Sequence, residues 1–77
     1  MLIMQPLSEL IEKLAVGIQL RIPTSTLRQA VEGEFVEGRL IHYSPDYSNN
    51  EAEVVIYTNK KEMALLLDEN TYLSIQN

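Results

Sequence analysis

The sequence predicts a mostly β fold, an N-terminal α-helix followed by a strongly bent five-stranded antiparallel sheet. Three observations predict it. Apolar residues keep a helical period only before Gly17. Beyond Gly17 they alternate at the two-residue period of a strand, and the strand-like runs are short and separated by polar turns. One helix and about five short strands can bury a shared apolar face by closing into a small barrel or a sheet bent back on itself.

The elements follow in order. Leu7, Leu10, Ile11, Leu14 and Ala15 lie at i, i+3, i+4, i+7 and i+8, one face of a helix over about residues 6–16. Pro6 suits the first turn, Ser8 is a candidate cap, Glu9 and Glu12 complement the positive end of the dipole, and Gly17 is a stop. The strands occupy about residues 18–76. Ile18, Leu20 and Ile22 alternate with Gln19 and Arg21, and Pro23 ends that run or confines it to an edge.

Leu27–Val31 reads as a strand, Glu32-Gly33-Glu34 as a turn and Phe35–Tyr43 as the next strand. Val36, Gly38, Leu40 and His42 share one of its faces, so His42 is expected inward, as a hydrogen-bonded core or interface residue. Gly38 in mid-strand signals a sharp bend or a close backbone approach. Ser44-Pro45-Asp46 is expected to break the strand, with Ser48-Asn49-Asn50 continuing a polar loop. Ala52–Tyr57 is β-branched and apolar, Asn59-Lys60-Lys61 turns the chain, and Met63–Leu67 with Thr71–Ile75 reads as a final hairpin around Asp68-Glu69-Asn70.

Length and composition bound the rest. A chain of 77 residues has room for one domain. At that size only about 60% of the unfolded surface is buried, and small domains commonly need a disulfide, a metal or a partner subunit. There is no cysteine and only one histidine, so disulfides and thiolate or His-rich zinc sites are excluded. Oligomerisation is the remaining source of stability.

Met1-Leu2-Ile3-Met4 lacks the basic and long apolar regions of a signal peptide, and no run approaches the ~20 apolar residues of a membrane span. A cytoplasmic location and no membrane partner are therefore expected. The net charge of −5 gives a weak footprint for phosphate binding and suits solubility, a basic protein partner or both. Asp46, Glu51 and Glu53 match no calcium-loop spacing, no motif surrounds His42 to make a triad, and no phosphate-cradling glycine loop occurs. No catalytic residue, metal or cofactor is assigned.

Two segments resemble the Sm-like (LSm, Hfq-type) family. In Glu32–Tyr43, a turn glycine (Gly33) is followed five residues later by a strand glycine (Gly38), then by an apolar and an aromatic residue (Leu40, Tyr43). Leu65–Ile75 is similar to the family's closing segment, an apolar strand, a tight turn and a short strand ending in Ser-Ile. The helix stands in its expected place, and together the matches span about residues 6–76.

The resemblance implies a non-enzymatic subunit of a homo-oligomeric ring of about five to seven copies. Within it, the fourth strand of one copy pairs with the fifth of the next, with Met63, Leu65, Leu67, Tyr72, Leu73 and Ile75 at the subunit interface. It further implies single-stranded RNA, or a protein partner, on the ring face or pore, with Tyr47, Asn49, Asn50 and Asn70 as the RNA-binding candidates. Two departures bear on this. Ser44 stands where the family has an acidic residue, and Asp68-Glu69 stands where it has Arg-Gly, which removes a phosphate-attracting cation.

Two other readings compete. The acidic surface suits a protein-interaction module that does not bind RNA. Alternatively, Thr24-Ser25-Thr26 caps a second helix from Leu27 to Glu34, giving a winged helix-turn-helix with Phe35–Tyr57 as the wing. Such a recognition helix offers a DNA groove only Arg28 and Gln29.

Overall fold

The computed structural model describes residues 3–76, so Met1 and Leu2 of the N-terminal segment, and Asn77, lie outside the described residues. The chain runs β1 (Gln5–Pro6), α1 (Leu7–Leu10), β2 (Gln19–Pro23), a 3-10 turn (Thr24–Thr26), β3 (Phe35–Asp46), β4 (Glu51–Thr58), β5 (Lys61–Leu67) and β6 (Tyr72–Gln76). All strands pair antiparallel in one sheet of order β1-β6-β2-β3-β4-β5. The mostly β expectation holds. The count is six rather than five because Gln5 and Pro6 pair with Leu73 and Tyr72, and the sheet is open between β5 and β1, not closed into a barrel.

The bend lies in β3. Its first part, Phe35–Arg39, pairs with β2, and its remainder from Arg39 onward pairs with β4, so one strand serves two halves of the sheet. Gly38 sits just before the changeover. A Cβ there would overlap the Tyr57 carbonyl oxygen and come within 2.7 Å of Ile56 Cγ2, a spacing no side chain can occupy.

Leu20, Ile22, Val36, Leu40, Val54, Ile56, Leu65, Leu67 and Leu73 from the sheet form one core with Leu7, Leu10, Ile11 and Leu14 of the N-terminal segment. Each fully buried aliphatic side chain contributes about 1.5–3 kcal/mol.

Several expectations are corrected. The helix is a single turn, not about residues 6–16. Leu10 O accepts from both Lys13 N and Leu14 N, which tightens the ladder and ends it, and no side chain caps the N-terminus. Leu7, Leu10, Ile11 and Leu14 still reach the core, whereas Ala15 is exposed. Gly17, at φ +102°, donates to Leu40 O at 2.7 Å and fastens this segment to β3.

Leu27–Val31 is irregular and is neither the strand nor the recognition helix considered above. Both edges of β2 are used by β3 and β6, and the segment meets the outer edge of β5 through the Gln29 side chain and not through a backbone ladder. Ser44-Pro45-Asp46 extends β3 instead of breaking it. Pro45 faces Ala52 across the ladder, and β2 has already left the other edge, so the missing N–H interrupts no second pairing.

His42 is exposed, not inward. Ile41 has no Cα partner in β4, and this bulge between Leu40 and His42 flips the alternation of the following residues. Finally, β5 and β6 do not form a hairpin. β6 crosses to pair with β2 and β1, which places the two strands at opposite sides of the sheet.

Candidate nucleic-acid interface

Two polar turns define the site, and each is built by an aspartate. After β3, the Asp46 carboxylate accepts from Ser48 Oγ and Asn49 Nδ2, both at 2.8 Å, and from Asn49 N at 3.3 Å. The Asn49 amide, and then the Ser48 hydroxyl, hold this carboxyl below its ordinary value of 3.8 by stabilising its charged form. Asn50 follows at φ +51°, a left-handed conformation that asparagine tolerates better than most residues.

After β5, Asp68 O accepts from Thr71 N at 3.0 Å and Asp68 Oδ1 from Asn70 N at 2.8 Å. Asp68 N in turn donates to Thr71 Oγ1 at 3.0 Å. Asp68 and Thr71 are both buried.

These turns converge. Asn49 and Glu51 from one side, and Asp68, Glu69 and Asn70 from the other, line a cleft of about 300 Å³ with Arg28. Arg28 Nε lies 2.9 Å from Asp68 Oδ2. Asp68 is therefore committed to holding its turn and an arginine, and it does not project into open space as a bare charge. Glu69 is the exposed carboxylate of that turn.

Of the residues expected to contact RNA, the structure brings Asn49 and Asn70 together. Tyr47 stands outside the cleft lining, 57% exposed, and Asn50 is half-buried in the same loop. Arg28 is the residue that sequence reading missed in this role. Its partner lies 40 positions further on, and no local pattern links the two. The cleft sets one cation against Glu51, Asp68 and Glu69, so it suits hydrogen bonds to neutral base edges better than binding of bare phosphate.

The expected interface residues divide by burial. Leu65, Leu67 and Leu73 belong to this chain's own core, Met63 and Ile75 are half-buried, and Tyr72 is 44% exposed. The outer edge of β5 pairs with no strand among the described residues. β6 is covered on its outer side by β1 at Tyr72 and Leu73.

Among the described residues, no group of three or more His, Cys, Asp or Glu side chains could hold a metal, and no helix is long and apolar enough to cross a membrane. Comparison with protein-family models, with curated proteins and with solved structures finds no match to this chain. The functional reading accordingly rests on residues and geometry.

Proposed function

We propose that this chain is a non-enzymatic, Sm-like subunit that assembles into a homo-oligomeric ring and holds single-stranded RNA at the cleft between its β3–β4 and β5–β6 turns. The observation that carries the reading is the convergence of Asn49, Asn70 and Arg28 in one polar cleft. The antiparallel pairing of β4 with β5, which sets Ala52 opposite Leu67, places the two turns side by side. The strand order β1-β6-β2-β3-β4-β5, with a β5 edge that pairs with no strand among the described residues, supports head-to-tail strand pairing between copies.

In this reading a base stacks on the exposed Tyr47 ring, an interaction worth about 1–3 kcal/mol. Asn49 and Asn70 read its edge, and Arg28 provides the local positive charge that the final turn lacks.

Native mass spectrometry of the protein, alone and with a short uridine-rich RNA, tests both halves. One closed oligomer that gains the RNA mass is the expected result, and loss of that mass in Tyr47→Ala plus Asn49→Ala assigns the site. An oligomer indifferent to RNA favours the acidic protein-interaction module instead, a reading supported by Glu51 and Glu69 in the same cleft. A monomer at every concentration overturns the ring.

A further inference from the structure

The irregular segment after the 3-10 turn lies against the open edge of β5. Thr26 Oγ1 accepts from Tyr72 N at 3.2 Å, Arg28 pairs with Asp68, and Gln29 then reaches β5. The Gln29 carboxamide donates through Nε2 to Ala64 O at 3.4 Å and accepts through Oε1 from Leu66 N at 3.3 Å. These two backbone groups face away from β4, and a strand added to this edge would use them. One side chain thus brings the donor and the acceptor that a neighbouring strand would otherwise supply.

Grooves of about 600 and 400 Å³ meet at Gln29. The larger runs beneath Val31 and past Met63 and Leu65, and the smaller past His42, Val55 and Leu66. A strand entering this edge would find room for alternate side chains on both of its faces.

We propose that Gln29 is a guard on the β5 edge, and that a strand from a second copy of this chain must displace it to pair there. The second copy is the occupant because each chain carries a complementary stretch. β1 covers the outer side of β6 only as far as Leu73, and Ile75 beyond it has no strand partner on that side among the described residues. An open edge and a guarded edge on one molecule make a head-to-tail contact, which closes into a ring when the rotation permits. This inference rests on the ring reading above and adds its regulation.

Both guard bonds are longer than the usual 2.9–3.0 Å of a strand ladder, so a properly placed strand replaces them with shorter ones. Arg28, tied to Asp68, anchors the segment one residue before the guard. The guard and the candidate RNA cleft therefore share one strap.

The test is Gln29→Ala, read in two ways. In dilute, monomeric protein, hydrogen exchange at the Leu66 amide is expected to accelerate about fivefold, the loss of one ordinary hydrogen bond. In a concentration series followed by native mass spectrometry, half-association is expected at a protomer concentration about three- to tenfold lower than for the wild type. Gln29→Glu, which can accept from Leu66 N but cannot donate to Ala64 O, is expected to fall between the two.

Unchanged Leu66 exchange overturns the guard whatever the oligomeric state. A wild-type ring whose assembly is unaffected by Gln29→Ala also overturns it and leaves the ring reading standing. A monomeric wild type that oligomerises as Gln29→Ala supports the guard while contradicting a constitutive ring. Two monomers at all concentrations overturn both.

Discussion

Gly38 and Asp46 are set by opposite constraints, one steric and one electrostatic. At Gly38 the β4 backbone and Ile56 fill the volume where any other residue carries its Cβ. Gly38→Ala must therefore push β4 away at the bend, and overpacking of this kind costs about 1–3 kcal/mol. In a domain this small that lowers the thermal midpoint by about 4–24 °C, with each kcal/mol worth roughly 4–8 °C, and a denaturation scan showing no shift would refute the steric argument.

At Asp46 the carboxyl titrates below 3.8 because Asn49 and Ser48 favour its charged form. A depressed folded-state value means that its contribution is complete above the unfolded value and is lost as pH falls through the folded one. The Asn49 amide signals are expected to stay in their native positions down to about pH 4 and to move in stronger acid, while Asp46→Ala shows the displaced signals at neutral pH. An NMR titration of Asn49 decides it.

Among the elements, the turn between β4 and β5 is the least relaxed. Asn59 and Lys60 have φ of +49° and +63°, the paired left-handed conformation of a two-residue type I′ hairpin. Asparagine tolerates this and lysine does not. Lys60→Gly converts the turn to the favoured Asn-Gly pair and is expected to stabilise the protein by about 0.5–1 kcal/mol, measured by urea denaturation at an unchanged m-value.

The N-terminal segment has too few backbone bonds to hold itself and depends on what it packs against. Besides the Leu7 N–Thr71 O and Gly17 N–Leu40 O bonds at its ends, the Tyr43 hydroxyl ties its middle to the sheet by donating to Ile11 O. Burial pushes the Tyr43 phenol above 10, with a further push from Tyr47, so the donor keeps its proton at physiological pH. Tyr43→Phe is expected to cost about 1 kcal/mol and to loosen the segment before the sheet. Faster amide exchange at Ile11–Leu14 with unchanged exchange in β4 is the signature to look for.

For the whole molecule, the relevant quantities are charge and edges. The net charge is −5, and the candidate cleft contains one cation. If RNA binds there through stacking and base edges, its affinity falls only weakly with salt. The expected slope of log K against log salt is about −0.7 for each phosphate engaged, and with Arg28 as the one cation it stays shallower than about −1.5. Fluorescence anisotropy at increasing salt measures the slope, and a steep one would place the RNA on another surface. Glu69→Arg, which exchanges the exposed carboxylate of the cleft for a cation and leaves Asp68 to hold its turn, is expected to tighten binding by about tenfold or more and to steepen that slope by about one phosphate.

Local features were determined by the sequence itself. The apolar phase of Leu7 through Leu14, the alternation in Gln19–Pro23, the β-branched run of β4 and the turn at Asn59-Lys60 each depend on neighbours a few residues apart. The demand for glycine at position 38 was readable for the same reason, since a glycine in mid-strand has few explanations. Three outcomes depended on partners distant in the chain. The bulge at Ile41 turned His42 outward, and the crossing of β6 to β2 replaced a local hairpin with a long-range pairing. The strap carrying Arg28 and Gln29 found both edges of β2 taken and met the β5 edge by a side chain in place of a backbone ladder. Periodicity reports which side chains prefer burial. Which backbone edges are left to pair is settled only when the whole sheet has assembled, because each edge can be used once.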